Sequence, residues 1–123
     1  MKHIVIIDDS PTIRTSVEYT LKDSGYGMVH AENGVDALNK IQDLLSKGEE
    51  IALCIVDINM PQMDGITFIK KFRENDKFTP VVVLTTEAEE EKIQEGKKAG
   101  ASGWMIKPFK AEQLQSVVHK FLR

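Results

Sequence analysis

Three acidic residues stand where short apolar runs stop. Asp8 and Asp9 follow the run 4–7, and Asp57 follows the run 51–56. Two more runs end on complementary groups. The run 81–84 leads to the hydroxyls of Thr85 and Thr86, and the run 104–106 leads to the ammonium of Lys107, with Pro108 behind it. Two carboxylates about 4 Å apart repel by roughly 4 kcal/mol at an effective dielectric of 20. Acids brought that close need a cation or a proton. Oxygen ligands alone select a hard ion, which makes Mg2+ the natural choice. A carboxylate, a hard cation, a hydroxyl and a lysine side by side describe a site that handles phosphoryl groups. The cation and the lysine neutralise phosphoryl oxygens, the hydroxyl donates to one, and the carboxylate attacks in line. Singly, each group is ordinary. Asp8 or Asp9 alone reads as a helix cap, but capping does not account for Asp57.

These groups meet only if the chain folds so that the runs lie side by side. The runs 4–7, 51–56 and 81–84 are almost wholly apolar and rich in β-branched residues. Strands buried on both faces of a parallel sheet look like this. The run 27–31 is weaker and reads as an edge strand; the run 104–106 is the fifth strand. Between them lie helical patterns. Ser10 before Pro11 places an N-cap ahead of a proline at the first helical position, Ile13, Val17 and Leu21 recur at spacing four, and Gly25 is the stop signal. A second helix starts near Asn33, turns Leu38, Ile41 and Leu45 inward, and ends at Gly48. A third starts at Asp64-Gly65 and faces Phe68, Ile69 and Phe72 inward. The fourth, 87–99, is poor, with Ala88, Ile93 and Ala99 nearly its only apolar residues. Its Gly96 costs about 1 kcal/mol relative to alanine. Such a segment is either thinly packed and cheap to shift, or simply a solvated charged helix. The fifth, 111–122, carries Leu114, Val117, Val118 and Phe121. Five strand–helix repeats imply an α/β fold with a parallel sheet and right-handed crossovers. Ligands of such sheets bind beyond the carboxyl ends of the strands, where the strand order reverses. With the order 2-1-3-4-5, strands one and three are neighbours and all three carboxylates converge.

Composition bounds the rest. A chain of 123 residues suits one domain, 1–123. Apolar residues at 41% and charged residues at 28% exclude disordered, collagen-like and coiled-coil chains. A net charge of −3 carries no electrostatic footprint for nucleic acid. The single cysteine, Cys54, lies inside an apolar run, so it reads as a buried thiol in a reducing compartment. Only four apolar residues precede Asp8, too few for a signal peptide, and no run reaches the length of a membrane span. A cytoplasmic location without membrane insertion is the expectation. His3, His30 and His119 are scattered, without metal-ligand spacing. Lys70-Lys71 and Lys97-Lys98 are balanced by nearby acids and read as solvated faces. Arg14, near the acidic end of the first strand, either assists docking of a kinase or is plain surface charge.

Four stretches together, Ile7-Asp8-Asp9-Ser10, Val56-Asp57-Ile58-Asn59-Met60-Pro61-Gln62-Met63-Asp64-Gly65, Leu84-Thr85-Thr86 and Lys107-Pro108-Phe109, resemble the motifs of bacterial response-regulator receiver domains. They occur in the right order and span the chain. Within that family the likeness is to the single-domain, CheY-like chemotaxis regulators. The resemblance implies a flavodoxin-like (βα)5 fold: a five-stranded parallel sheet, order 2-1-3-4-5, with helices on both faces. It implies that Asp57 accepts a phosphoryl group from a histidine kinase. Asp9 would bind Mg2+ directly and Asp8 mainly through water, with Asp57 and the backbone carbonyl of Asn59 completing the metal site. Lys107 would pair with the phosphoryl group, Thr85 would donate to it and shift on activation, and the Lys107-Pro108 bond would be cis. Asn59 and Glu87 match positions that tune dephosphorylation. Trp104 stands where receivers usually carry Tyr or Phe as an aromatic switch. Its bulk restricts an inward swing and its indole donates but cannot accept; service as a packing residue is the plain alternative. Ser10-Pro11 also departs from the usual chemotaxis pair, and neither change touches the reaction.

The expected function is a phosphorylation-activated switch of a two-component system, catalysing only its own phosphorylation and dephosphorylation and so not an enzyme in the ordinary sense. With no output domain expected beyond the fifth helix, signalling would run through non-covalent partners. A histidine kinase stands upstream. A target such as a flagellar motor switch protein stands downstream, reached through the fourth helix, fifth strand and fifth helix. The alternative is a phosphorelay intermediate that passes the phosphoryl group to a histidine phosphotransfer protein. A haloacid-dehalogenase-like phosphatase would need a second acid two residues after its nucleophile, where Asn59 stands. A flavin mononucleotide carrier would need a hydroxyl- and glycine-rich loop after the first strand, where Asp8-Asp9 would repel a phosphate.

Overall fold

The computed structural model describes residues 1–122. Along the chain run β1 (Lys2–Ile7), α1 (Pro11–Thr20), β2 (Gly27–Ala31), α2 (Gly34–Ser46), β3 (Glu50–Val56), α3 (Gly65–Arg73), β4 (Val81–Thr85), α4 (Glu90–Ala99), β5 (Gly103–Ile106) and α5 (Ala111–Leu122). All strand pairs are parallel and the sheet order is β2-β1-β3-β4-β5. The apolar runs dictate this layering. Successive strand residues point to opposite faces, and in β1, β3 and β4 both sets are apolar. Val5, Ile7, Cys54, Val56, Val81 and Val83 pack with Ala37 and Ile41 of α2 and Ile66, Ile69 and Phe72 of α3. Ile4, Ile6, Leu53, Ile55, Val82 and Leu84 pack with Val17 of α1 and Leu114 and Val118 of α5. Burial of Cys54 in the first layer pushes its thiol pKa far up, so it stays protonated. Among the described residues no helix is long and apolar enough to cross a membrane.

Helix starts follow the sequence signals closely. Ser10 Oγ accepts from the Ile13 N–H, Asn33 Oδ1 from Asp36, and Asp64 Oδ1 from Thr67. Each cap satisfies one of the amides that an α-helix leaves open.

Three expectations need correction. Helix α4 begins at Glu90, not at 87, and its N-cap Glu89 makes no side-chain capping bond. Residues just before it are held by strand ends instead: the Glu87 N–H donates to Thr85 Oγ1, and the Glu87 carbonyl accepts from the Trp104 indole. Leu45 does not face the core; it is 54% exposed. Helix α1 ends at Thr20, with Leu21 as its C-cap, four residues before the left-handed Gly25.

Candidate functional site

Extension of the parallel ladder past the strand ends fixes the two central acids. The Asp8 N–H donates to the Ala31 carbonyl at the end of β2, and the Asp57 N–H donates to the Ile7 carbonyl at the end of β1. Strand β5 is tied in the same way, by the Lys107 N–H on the Thr85 carbonyl at 2.8 Å. Four strand ends thus converge on one pocket. Asp8, Asp9 and Asp57 each place a carboxylate oxygen within 4.8 Å of the others. Asp8 and Asp57 are buried, and Asp9 is exposed at the rim.

Lys107 Nζ lies 2.7 Å from Asp8 Oδ2 and 3.2 Å from Asp57 Oδ2. The remaining oxygens are held by backbone amides: Asp8 Oδ1 accepts from Ser10, and Asp57 Oδ1 accepts from Asn59 at 3.3 Å. Thr85 is fully buried, and its hydroxyl oxygen accepts from the Glu87 N–H, which leaves its hydrogen free to donate. The Lys107-Pro108 peptide bond is cis.

The electrostatics follow from this crowding. Burial disfavours the Asp8 carboxylate and raises its pKa. The bonds from Lys107 and Ser10 oppose that shift, and the Asp57 charge adds to it. Burial also disfavours the Lys107 ammonium, but the bond to Asp8 and the charges of Asp57 and Asp8 outweigh it, and the net shift is upward. Lys107 pairs with Asp8 and Asp57, and Asp9 adds a third carboxylate beside them, so the cluster holds more acids than the one ammonium bonded to it. An all-oxygen donor set of this kind suits a hard cation. The residues present therefore fit a metal such as Mg2+.

Each residue singled out in the sequence has a definite place here. Asp8, Asp9, Asp57 and Lys107 meet in the pocket, and Thr85 stands at the end of β4, tied to Lys107 through the backbone. Asn59 is exposed on the β3–α3 loop. There it lines a groove of about 430 Å3 with Asp9, Met60, Pro61, Lys92 and Glu95. Glu87 and Trp104 form a second layer. The Trp104 indole nitrogen donates to the Glu87 carbonyl at 3.0 Å, and the half-buried ring packs against α4 at Gly96.

Two residues make contacts at the site that the sequence does not show. Gly65 opens α3 so close to the phosphoacceptor candidate that a Cβ would overlap the Asp57 carbonyl. Arg14, which the sequence sets near the acidic end of β1, has its guanidinium donating to the Asp8 carbonyl and to His30 Nδ1.

The chain is similar to known proteins both in sequence and in fold. The response regulator receiver domain family matches residues 4–119. A chemotaxis protein CheY homolog of Campylobacter jejuni subsp. jejuni is 34% identical over 122 residues, covering 97% of this chain and 91% of the relative. The structure of Vibrio cholerae chemotaxis protein CheY4 superposes with a TM-score of 0.88 at 42% identity, covering 99% of both chains. A CheY-like receiver domain protein of Methanospirillum hungatei JF-1 has a TM-score of 0.89 at 26% identity, over 99% of this chain and 94% of the other.

Proposed function

The chain belongs to the response regulator receiver family and is a CheY-like member of it, and from that premise we propose that it is a switch thrown by phosphorylation of Asp57. The observation that carries this reading is the Lys107 ammonium lodged between Asp57 and Asp8 at the carboxyl ends of the strands.

An Asp57 carboxylate oxygen attacks the phosphorus of a phosphohistidine on the kinase. The new P–O bond forms as the P–N bond breaks, and the electron pair returns to the imidazole, which takes a proton from solvent. Asp8, Asp9 and Asp57, with the Asn59 carbonyl, would hold Mg2+, and the ion would supply neutralisation of the phosphoryl oxygens. Lys107 is within reach of both Asp8 and Asp57, so it can leave one carboxylate for a phosphoryl oxygen at little positional cost. The Thr85 hydroxyl has a hydrogen to donate, and turning it towards the phosphoryl group draws on its bond to the Glu87 amide. Hydrolysis reverses the covalent change. Water attacks phosphorus, the P–O bond to Asp57 breaks, and the carboxylate and inorganic phosphate are released. The chain catalyses no other turnover. Asn59, at the rim, and Glu87 set how readily that water arrives.

Phosphorylation adds a charge of about −1.5 to −2 and new acceptor oxygens. Thr85 and Glu87 connect the site to Trp104, and Trp104 connects it to α4. The signal therefore leaves through α4, β5 and α5, towards a partner such as a flagellar motor switch protein. Its chemotaxis relatives support that output, with a histidine kinase as the donor and the cytoplasm as the setting. The active arrangement is a minor state, about 0.1–10% populated, that phosphorylation enriches.

Acetyl phosphate with Mg2+ tests the proposal. It should add one phosphoryl group to the wild type and none to Asp57→Asn. Labelling of the variant at an undiminished level would overturn the assignment.

A further inference from the structure

We propose that Arg14 is a positioning residue for the metal-binding turn, held in place by a chain of His30 and Glu18. Arg14 lies one turn into α1 and is half-buried. Its Nη1 donates to the Asp8 carbonyl and its Nε donates to His30 Nδ1 at 3.3 Å. His30 Nε2 in turn bonds Glu18 Oε1. Because Nδ1 accepts, the ring hydrogen sits on Nε2 and points at the Glu18 carboxylate. The two partners therefore select the tautomer with its hydrogen on Nε2. His30 is fixed as well, through its place in β2 opposite Ile6 and a Lys40 Nζ bond to its carbonyl at 2.6 Å.

The consequence lies in the peptide unit that Arg14 grips. The Asp8 carbonyl belongs to the Asp8–Asp9 peptide, which is planar. Holding that oxygen fixes the plane and so sets the direction in which Asp9 leaves it. Asp8 needs little further help: its N–H is bonded to Ala31, and its carboxylate is bonded to Ser10 and Lys107. Asp9 is the exposed member of the trio. The guanidinium therefore acts at one remove. It touches no phosphoryl group or metal, and it aims the ligand that the pocket holds least.

This inference rests on the metal-site reading above, and the experiment separates the two. Mg2+ affinity is measured by calorimetry on the full chain. Phosphorylation by acetyl phosphate is measured at saturating Mg2+, and the His30 tautomer is read from imidazole nitrogen shifts without metal. Outer partners of metal ligands typically contribute about 10–100-fold in affinity, and Arg14 sits at the lower end because it grips backbone. Arg14→Ala should weaken Mg2+ binding about 10-fold, leave the saturated phosphorylation rate within about twofold, and release His30 to a mixture of tautomers. His30→Ala should give a smaller loss. His30→Gln, whose amide oxygen can still accept from Arg14, should restore affinity.

Mg2+ affinity unchanged in Arg14→Ala would overturn the inference, as would equal losses in affinity and saturated rate. Retained affinity with loss of transfer from a kinase would assign Arg14 to docking instead. If Arg14→Ala fails to fold, the contrast between His30→Ala and His30→Gln decides the question. Should wild type bind Mg2+ no better than Asp9→Asn, the metal-site reading itself fails, whatever Arg14 does.

Discussion

Asp8 and Lys107 carry opposing contributions to the stability of the site, and their signs can be worked out. The folded-state pKa of Asp8 is raised above 3.8, chiefly by burial. Its contribution to stability is therefore present below pH 3.8 and is lost as pH rises through the raised value. The folded-state pKa of Lys107 is raised above 10.5, because its carboxylate partners outweigh burial. Its contribution persists through neutral pH and disappears only as pH climbs past that higher value. At pH 7 the ionised Asp8 thus costs the metal-free protein stability. Asp8→Asn should raise the melting temperature in EDTA by a few degrees. A fall would show that the Lys107 bond outweighs burial and the Asp57 charge. Gly65 works in the opposite sense. A side chain there meets the Asp57 carbonyl and the Ile58 backbone, neither of which can yield without moving Asp57. Gly65→Ala should cost about 1–3 kcal/mol in urea unfolding and slow Asp57 phosphorylation. A variant as stable and as reactive as wild type would remove Gly65 from the site.

Helix α4 is held unevenly along its length. At its C-terminal end, Arg73 donates from both Nε and Nη2 to the Gly100 carbonyl, at 3.1 and 2.9 Å. In the middle, the Trp104 ring lies where a Cβ on Gly96 would come within 2.5 Å of Cζ3. At its start there is no side-chain cap, only the Trp104 indole on the preceding Glu87 carbonyl. These contacts predict that a shift of this helix would pivot about its last turn. Gly96→Ala gains about 1 kcal/mol of helix propensity but forces the indole outward. Trp104 is the only tryptophan, so its emission should move to longer wavelength and lose its response to beryllofluoride with Mg2+. An unshifted spectrum would mean that the ring has room to spare.

In the sequence Gly96 looks like a weak point, because the ring that needs the space arrives from β5 and no helical pattern encodes it. Gly65 was hidden for the same reason. The Arg14–His30 pair depended on β2 lying beside β1, and the start of α4 depended on a bond between Glu87 and Trp104. By contrast, Asp8, Asp9, Asp57, Thr85 and Lys107 were legible. Strand ends are set by local apolar runs, and a parallel ladder carries all carboxyl ends to one edge. The N-caps Ser10, Asn33 and Asp64 were legible because a cap is a contact over three residues.

On the scale of the molecule, a net charge of −3 is distributed unevenly, with three acids gathered around one bonded ammonium in a pocket at the top of the sheet. The fold tolerates them because the apolar layers on both faces of the sheet carry its stability, and a divalent ion bound there would relieve the pocket. Binding to the folded state alone stabilises it by RT ln(1 + [L]/Kd), about 2.7 kcal/mol at 100 times Kd. For a chain of this size that is a rise in melting temperature on the order of 10 °C. Protons compete for the same oxygens. The raised pKa of Asp8 means that it protonates in the folded protein before it would in the unfolded chain, so the Mg2+-induced rise should be full near neutral pH and shrink as pH falls towards 3.8. Melting curves with saturating Mg2+ and with EDTA, taken across that interval, measure it. NaCl at matched ionic strength controls for screening, which acts on exposed charges more than on buried ones. A Mg2+ effect that stays constant down to the lowest pH, or that NaCl reproduces, would mean that the ion acts on the surface at large rather than in the pocket of Asp8, Asp9 and Asp57.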